Sequence, residues 1–305
     1  MADLPAIAGV VPVLEVPFHA DERLDLYGFE RVIDGQVAAR VDGVMFPGFA
    51  SEFHKLTGDE RRRLTGLVLE QLDGTRGGPL SIISIPDHAT INAVREATWA
   101  VESGARAINL LPPFLLGPGR PAIMVHLAAV LKAVAPIPVV IQHAPAQTGG
   151  QLTAEVLAAL ADTHPNLTAI KVESQPPGRL VSALAEQAPP LPSLVGYAGL
   201  HAIDALERGA VGLQPGCSFP ELYVALTRRW FDGDHAGARE LHERMLPYLS
   251  AWMQHVELIV AVEKHISVAR GWFADATVRA PGWTLDAYER ATIDAFLEEF
   301  DPWLR

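Results

Sequence analysis

Eight short apolar runs, each followed by a helical pattern, constrain the fold of this chain more than any other feature. The runs are rich in β-branched residues and nearly continuous in apolar character, as is typical of parallel strands buried on both faces. They lie at residues 8–14, 43–47, 80–86, 105–112, 136–142, 167–173, 193–198 and 209–214. Helical patterns lie between them at residues 26–40, 57–73, 90–103, 121–133, 152–163 and 177–188. This alternation predicts an α/β fold, a (β/α)8 TIM barrel.

An open, doubly wound sheet is the alternative fold. Such a sheet usually has a glycine-rich turn after its first strand. Here the first run continues as VPFHADERLD, which contains no glycine, and only helical patterns follow residue 219. We therefore predict a barrel over residues 1–218 and a C-terminal helical extension over residues 219–305 that packs on it.

Charge and composition exclude several classes of protein. The formal net charge of −12 disfavours a nucleic-acid partner, because the phosphate backbone would be repelled. No uninterrupted apolar stretch is long enough to predict a membrane span, and the first residues lack the basic segment of a secretory signal. With one cysteine, Cys217, and no spacing such as H-E-x-x-H, no metal site is predicted. We expect a cytoplasmic protein.

Lys171 is the strongest candidate for a catalytic residue. The chain has only four lysines, and this one lies inside the apolar run LTAIKVE. An ammonium group at that depth must be paired or lose its proton, and a neutral amine can attack a ketone to form a Schiff base. Strand alternation places Glu173 on the same inward face. A purely structural ion pair, Lys171–Glu173 or Lys171–Glu52, remains the alternative.

The ends of other strands supply weaker candidates, because active sites of such barrels lie at the carboxyl ends of the strands. Ser51 and Glu52 follow the second run, where they either hold a substrate carboxylate or cap the next helix. His88 and His143 end two further runs, and a lone histidine there is more often a hydrogen-bonded wall residue than a base. Gln214 ends the eighth run.

These residues resemble those of the dihydrodipicolinate synthase / N-acetylneuraminate lyase family of Schiff-base barrels. The matching segments are GFASE at 48–52, LTGDER at 56–61, LPPF at 111–114, PVVIQHAPAQTG at 138–149, PNLTAIK at 165–171 and GAVG at 209–212. The resemblance implies that Lys171 is the Schiff-base lysine, that the substrate is a small 2-keto acid, and that no cofactor is required. It also implies a homodimer or homotetramer, for which the apolar stretch at 112–116 is a candidate interface.

Several positions depart from the family's pattern. The family's glycine-threonine-threonine-glycine-glutamate loop is here Gly48–Glu52, without either threonine. Gln142 stands in place of the proton-relay tyrosine, Gln147 in place of the carboxylate-binding arginine, and Phe114-Leu115 in place of an aromatic pair. We therefore predict that the chain is not a true dihydrodipicolinate synthase, nor a typical neuraminate lyase.

One branch of the family, the L-2-keto-3-deoxyarabonate dehydratases, looks closer. Its members share a Ser-Glu pair, a Gln before a polar residue and Ala-Pro, and a Lys-x-Glu-Ser/Thr segment, which are here Ser51-Glu52, Gln142–Pro145 and Lys171–Ser174. That branch has an acidic residue where His143 stands. The resemblance implies a hydro-lyase of sugar-acid metabolism that removes water from a 2-keto-3-deoxy sugar acid.

The predicted catalytic residues are Lys171, Glu173, Gln142 and His143. In this interpretation Lys171 binds the C2 ketone, Glu173 acts as acid or base, and His143 is the alternative proton donor. The predicted substrate-binding residues are Ala50, Ser51, Glu52 and Gln214. An aldolase is the alternative activity, because the same Schiff base can instead undergo cleavage of C3–C4 to pyruvate and an aldehyde. A non-catalytic keto-acid binder is a third hypothesis, against which the intact Lys171 and Glu173 argue.

Overall fold

Eight parallel strands form one sheet in the computed structural model, which describes residues 6–73, 78–148 and 152–304. The strands are Gly9–Val10 (β1), Gly43–Phe46 (β2), Leu80–Ile85 (β3), Ala107–Leu110 (β4), Val139–His143 (β5), Leu167–Val172 (β6), Ser193–Val195 (β7) and Gly212–Leu213 (β8). Neighbours in sequence pair in parallel from β2 to β8, and β8 pairs with β1. Val13, just after β1, bridges both Met45 of β2 and Gly216, which closes the ring. The predicted TIM barrel is confirmed.

Helices alternate with the strands around the barrel. They are Leu26–Ala39 (α1), Gly58–Asp73 (α2), Thr90–Glu102 (α3), Arg120–Val134 (α4), Pro145–Thr148 (α5), Ala154–Thr163 (α6), Gly178–Ala185 (α7) and Ala202–Glu207 (α8). The sequence patterns predicted all of these except α5 and α8. Those two have four and six residues, too few for a helical period to stand out from the sequence around them.

The C-terminal helices are Pro220–Phe231 (α9), His235–Trp252 (α10), Val256–Ala269 (α11) and Ala287–Leu304 (α12). Helix α9 follows β8 and packs on β1, β8 and α1, as an outer helix of the barrel does. Helix α9 thus packs as the barrel helices do, and the boundary at residue 218 stays a prediction. Helices α10 to α12 form the extension, and α11 contacts the turn Phe49–Ser51 at the end of β2. None of the helices in the described ranges is long and apolar enough to cross a membrane.

Alternation along the strands explains where polar side chains enter the barrel. One inward layer is apolar and includes Ile82, Ala107, Val140, Ala169 and Leu194. Two residues further along four of these strands, on the same inward face, the side chains are polar and still buried. These residues are Ser84, Asn109, Gln142 and Lys171. A polar layer thus lies on an apolar base at the carboxyl ends of the strands.

Candidate active site

A pocket opens at the carboxyl end of the barrel, above the polar layer. Lys171 and Glu173 line it together with Ala50, Tyr197 and Gln214. Helix α11 covers one side with Val256, Ile259 and Val260. The extension therefore forms part of the pocket wall, and four of the eight predicted site residues, Ala50, Lys171, Glu173 and Gln214, share one cavity.

Lys171 lies near the end of β6 with only 3% of its surface exposed. Its Nζ atom lies 3.3 Å from Oε1 of Glu173, the one acidic group within ion-pair distance among the residues described. Register pairs Lys171 with Gln142 on one side and Leu194 on the other. The amine is thus buried among strands, close to one carboxyl group, and open to the pocket.

A chain of hydrogen bonds fixes that carboxyl group. Gln142 Nε2 donates to Glu173 Oε2 at 2.6 Å, and Asn109 Nδ2 donates to Gln142 Oε1 at 3.1 Å. Asn109 Nδ2 also donates to Ser84 Oγ at 2.8 Å. Because Gln142 Oε1 accepts from Asn109, Gln142 Nε2 points at Glu173, and this bond to Oε2 leaves Glu173 Oε1 facing Lys171.

Gly196, which follows β7, makes room for Glu173. A Cβ atom at this position would lie 2.3 Å from Glu173 Oε1, far inside van der Waals contact. The carboxyl group therefore packs directly against backbone, a close approach that only glycine allows.

The turn after β2 holds two predicted substrate-binding residues, and they differ in exposure to the pocket. Ala50 lines it. Ser51 is fully buried, where its hydroxyl donates to the Leu14 carbonyl and accepts from Gly48 N–H at 2.9 Å. Ser51 therefore shapes the turn, since its oxygen is occupied by backbone groups.

Glu52 lies apart from Lys171. Its carboxylate pairs with Lys264 of α11 and, at 3.0 Å, with Lys55. The alternative of a Lys171–Glu52 ion pair is therefore wrong. Lys264 Nζ also donates to the Thr277 carbonyl at 2.8 Å, so this cluster joins the β2 turn to the extension. This placement supports a structural role for Glu52 rather than the predicted contact with substrate.

The two histidines and Gln214 occupy different positions. His143 is buried and its Nε2 accepts a hydrogen bond from Leu152 N–H at 3.0 Å. Burial lowers the pKa of His143, which makes it a weak proton donor near neutral pH. His88 packs edge-on against Phe114 as a wall residue. Gln214 lines the pocket and donates to Met45 Sδ at 3.2 Å.

Sequence reasoning missed three titratable residues that line the pocket, namely Glu15, Tyr197 and Glu263. Glu15 follows the first apolar run directly, and Tyr197 lies at the end of the seventh. Glu263 lies in the apolar helical segment LIVAVEKHI, where a carboxyl group beside a lysine was the available signal. Among the described side chains, no group of three or more His, Cys, Asp or Glu is arranged to hold a metal ion. The side chain of Gln147 lies outside the described residues.

Comparison of the sequence with known protein families identifies the family of this chain. The profile of the Dihydrodipicolinate synthetase family matches residues 6–300. The chain belongs to this family. It is therefore a lyase of the Schiff-base aldolase type.

The relatives carry different activities in their names. A DapA-like lyase of uncharacterised function from Halobacterium salinarum is 31% identical over 95% of this chain and 93% of its own length. A 4-hydroxy-tetrahydrodipicolinate synthase from Salinibacter ruber is 27% identical over 96% and 95%. Escherichia coli YagE, named a putative 2-dehydro-3-deoxy-D-gluconate aldolase, is 26% identical over 95% and 96%. The crystal structure of YagE with pyruvate has a TM-score of 0.87 to this fold, covering 96% of this chain and 98% of YagE.

Proposed function

We propose that this lyase removes water from a 2-keto-3-deoxy sugar acid through a Schiff base at Lys171. One observation carries the proposal: Lys171 Nζ lies in the pocket 3.3 Å from a carboxyl group that Gln142 holds in place. The nucleophile and the proton carrier are thus adjacent before substrate binds, which is the arrangement that covalent catalysis requires.

The chemistry starts with attack of the Lys171 amine on the C2 ketone and loss of that oxygen as water. The resulting iminium acidifies the protons on C3, and Glu173 removes one of them to give an enamine. Electrons of the enamine then expel the C4 hydroxyl group, which takes up a proton and leaves as a second water. Hydrolysis of the conjugated iminium consumes one water, frees Lys171 and releases a keto acid that has lost one water overall.

Glu173 is the proposed base in this scheme, and Gln142 is a positioning residue. An amide does not shuttle protons as a tyrosine hydroxyl does, but the Gln142 amide keeps Glu173 Oε1 directed at Lys171. Acid–base assistance of this kind contributes about 10²–10⁴-fold to a rate. Backbone groups of the turn at Phe49–Ser51, beside Ala50, are the proposed site for the substrate carboxylate.

Aldol cleavage of the same substrate class is the second candidate function. The likeness to YagE favours it, because that relative is named an aldolase. Tyr197 in the pocket also favours it, since removal of the C4 hydroxyl proton needs a base or relay beside the substrate. Both reactions pass through an enamine at Lys171, and they differ in whether the C3–C4 bond breaks.

Synthase activity is not proposed, although relatives carry that name. Condensation of pyruvate with aspartate semialdehyde needs a proton relay through hydroxyls, and Gln142 and Ala50 occupy two of the positions where the family has them. We expect no measurable condensation by the purified protein, while pyruvate still forms a reducible imine.

We propose that the protein is a homodimer or homotetramer. Leu115 and Leu116, which follow β4, are 76% and 93% exposed, and adjacent exposed leucines are typical of an interface. Sedimentation at micromolar concentration is expected to show a dimer or tetramer, and a monomer alone would contradict this.

Product analysis tests the proposed function. The purified protein is incubated with 2-keto-3-deoxypentonates and 2-keto-3-deoxyhexonates of both series, and products are identified by mass spectrometry. Loss of one water with the carbon chain intact is the expected result. Pyruvate together with an aldehyde would support the aldolase instead, and no change in any substrate would contradict both.

A further inference from the structure

The pocket contains two buried carboxyl groups that the proposed reaction does not use. Glu15 follows β1 and Glu263 lies on α11, and both line the same cavity as Lys171. They are only 1% and 3% exposed. Within the described ranges neither forms an ion pair with a lysine or an arginine. Buried carboxyl groups without a cation are unusual and cluster at functional sites.

Of this acidic pair, Glu15 and Glu263, the first is only partly satisfied by the described part of the protein, whereas the second forms hydrogen bonds with Cys217 and Ser218. The Ser267 hydroxyl donates to Glu15 Oε1, whereas Glu15 Oε2 has no hydrogen-bond partner in the part of the chain that is described. Cys217 N–H donates to Glu263 Oε2 at 3.0 Å, and Cys217 Sγ accepts from Glu15 N–H at 3.3 Å. A buried polar atom without a hydrogen bond lowers the free energy of unfolding. A hydrogen bond from a bound ligand to Glu15 Oε2 would remove this cost.

Two further observations show that the cavity is shaped around this pair. A Cβ atom at Gly216 would lie 1.9 Å from Glu263 Oε1, so glycine is what admits the carboxyl group there. Gln214, 2% exposed, also lines the cavity, and its Oε1 atom has no partner among the residues described. An amide oxygen and a carboxyl oxygen, both buried beside this cavity, therefore lack a hydrogen-bond partner among the described residues.

The protonation state of Glu15 and Glu263 determines which chemical groups on a ligand they can bind. Burial raises the pKa of Glu15 to about 7, and burial with repulsion from Glu15 raises that of Glu263 to about 8. The other titratable groups that face the pair are Cys217, Tyr223, Lys264 and Arg270. Near neutral pH the pair thus offers both a proton donor and an acceptor, as a hydroxyl group requires.

We propose that Glu15 and Glu263, together with Gln214, bind hydroxyl groups on the distal carbons of the substrate. The site would then select a polyhydroxylated 2-keto acid whose far end is uncharged, and would reject a dicarboxylate by repulsion. The inference rests on the proposed function, because an imine at Lys171 fixes the other end of the substrate in this pocket.

Half-saturation of borohydride trapping measures this selectivity without depending on turnover. The probes are 2-keto-3-deoxygluconate, the corresponding 2-keto-3-deoxy dicarboxylate, and pyruvate, which has no distal hydroxyl. For Glu15→Leu and Glu263→Leu we expect half-saturation by 2-keto-3-deoxygluconate to rise about ten- to hundredfold, as loss of one or two hydrogen bonds to carboxyl groups implies. The matched variants Glu15→Gln and Glu263→Gln keep the side-chain shape but remove the acidic group. In these variants the half-saturation concentrations of the monoacid and the dicarboxylate should lie closer together than in the wild type.

The possible failures are distinguishable. If pyruvate forms no imine with the wild-type protein, the proposed function is wrong and this inference falls with it. If pyruvate is trapped but half-saturation by 2-keto-3-deoxygluconate is the same in all four variants, the acidic pair does not contact substrate and only this inference is wrong. Equal wild-type affinity for the monoacid and the dicarboxylate would also overturn it.

Discussion

Two lysines are buried in this molecule, and their surroundings differ. Lys264, on α11, is fully buried, pairs with Glu52, donates to the Thr277 carbonyl, and lies 4.4 Å from the centre of the Phe18 ring. Lys171, on β6, has one acidic neighbour at 3.3 Å and lines the pocket. One amine is surrounded by partners, and the other is accessible to a ligand.

Burial alone therefore does not identify a nucleophile. Burial lowers the pKa of Lys264, yet its Nζ atom is fully buried and donates to Glu52 and to the Thr277 carbonyl. The cavity beside Lys171, rather than depth in the protein, distinguishes the proposed nucleophile from Lys264.

Replacement of Lys171 is expected to have the largest effect on turnover. Lys171→Met should lower turnover about 10⁴-fold or more, because no other amine can form the covalent intermediate. The barrel should remain folded, since an apolar chain replaces a buried amine of similar length. Lys132→Met, at an exposed position of α4, is the matched control and should keep normal turnover. Near-normal turnover by Lys171→Met would contradict the proposal that Lys171 is the nucleophile.

Removal of the partner of Lys171 should have a smaller effect on rate. Glu173→Gln keeps the size of the side chain but cannot take a proton, so turnover should fall about 10²–10⁴-fold. The imine should still form, because the amine remains in the pocket. Single-turnover kinetics with borohydride trapping separate the two steps, and loss of trapping in step with turnover would contradict the assigned role.

Lys264→Met should act on stability instead. It leaves Glu52 with Lys55 as its remaining cation, and breaking a buried ion pair typically lowers the free energy of unfolding by about 3–5 kcal/mol. The double variant Glu52→Gln/Lys264→Met should recover much of this loss, because neither charge is then left unpaired. Urea denaturation measures both. A single variant as stable as the wild type would show that the cluster is not structural.

Two buried carboxyl groups differ in the same way as the two lysines. Glu52 forms ion pairs with two lysines, whereas Glu263 forms none among the described residues. Because burial raises the pKa of Glu263 from its ordinary value of 4.5 to about 8 in the folded protein, this group contributes stability that is full below pH 4.5 and lost as the pH rises through 8. Glu263→Gln should therefore raise Tm relative to wild type by about 2–6 °C at pH 8.5, and by less at pH 5. A difference in Tm that does not change with pH would contradict this.

Local patterns in the sequence were enough to predict the barrel and the centre of the site. Continuous apolar runs marked the eight strands, and the two-residue period of a strand placed Lys171 and Glu173 on one face. Both predictions needed only neighbours within a few residues. The choice between a catalytic and a structural Lys171 needed more, because it depends on a cavity that several strand ends and α11 enclose.

Contacts between distant segments explain what was missed. Glu52 meets Lys264 across 212 residues of sequence, and Glu15 meets Ser267 across 252. Each of these contacts depends on how the C-terminal extension packs against the barrel, which no local period encodes. The sequence therefore suggested a substrate-binding role for Glu52 and gave no role to Glu15 or Glu263.

Mass-spectrometric mapping of the borohydride-trapped adduct is the most direct test of the difference between the two lysines. The wild-type protein is treated with pyruvate and borohydride, digested, and sequenced by fragmentation. The reduced pyruvate adduct should be found on Lys171, with Lys264 unmodified, and no adduct should form in Lys171→Met. An adduct on Lys264, or one that persists in Lys171→Met, would contradict the assignment of Lys171 as the Schiff-base lysine.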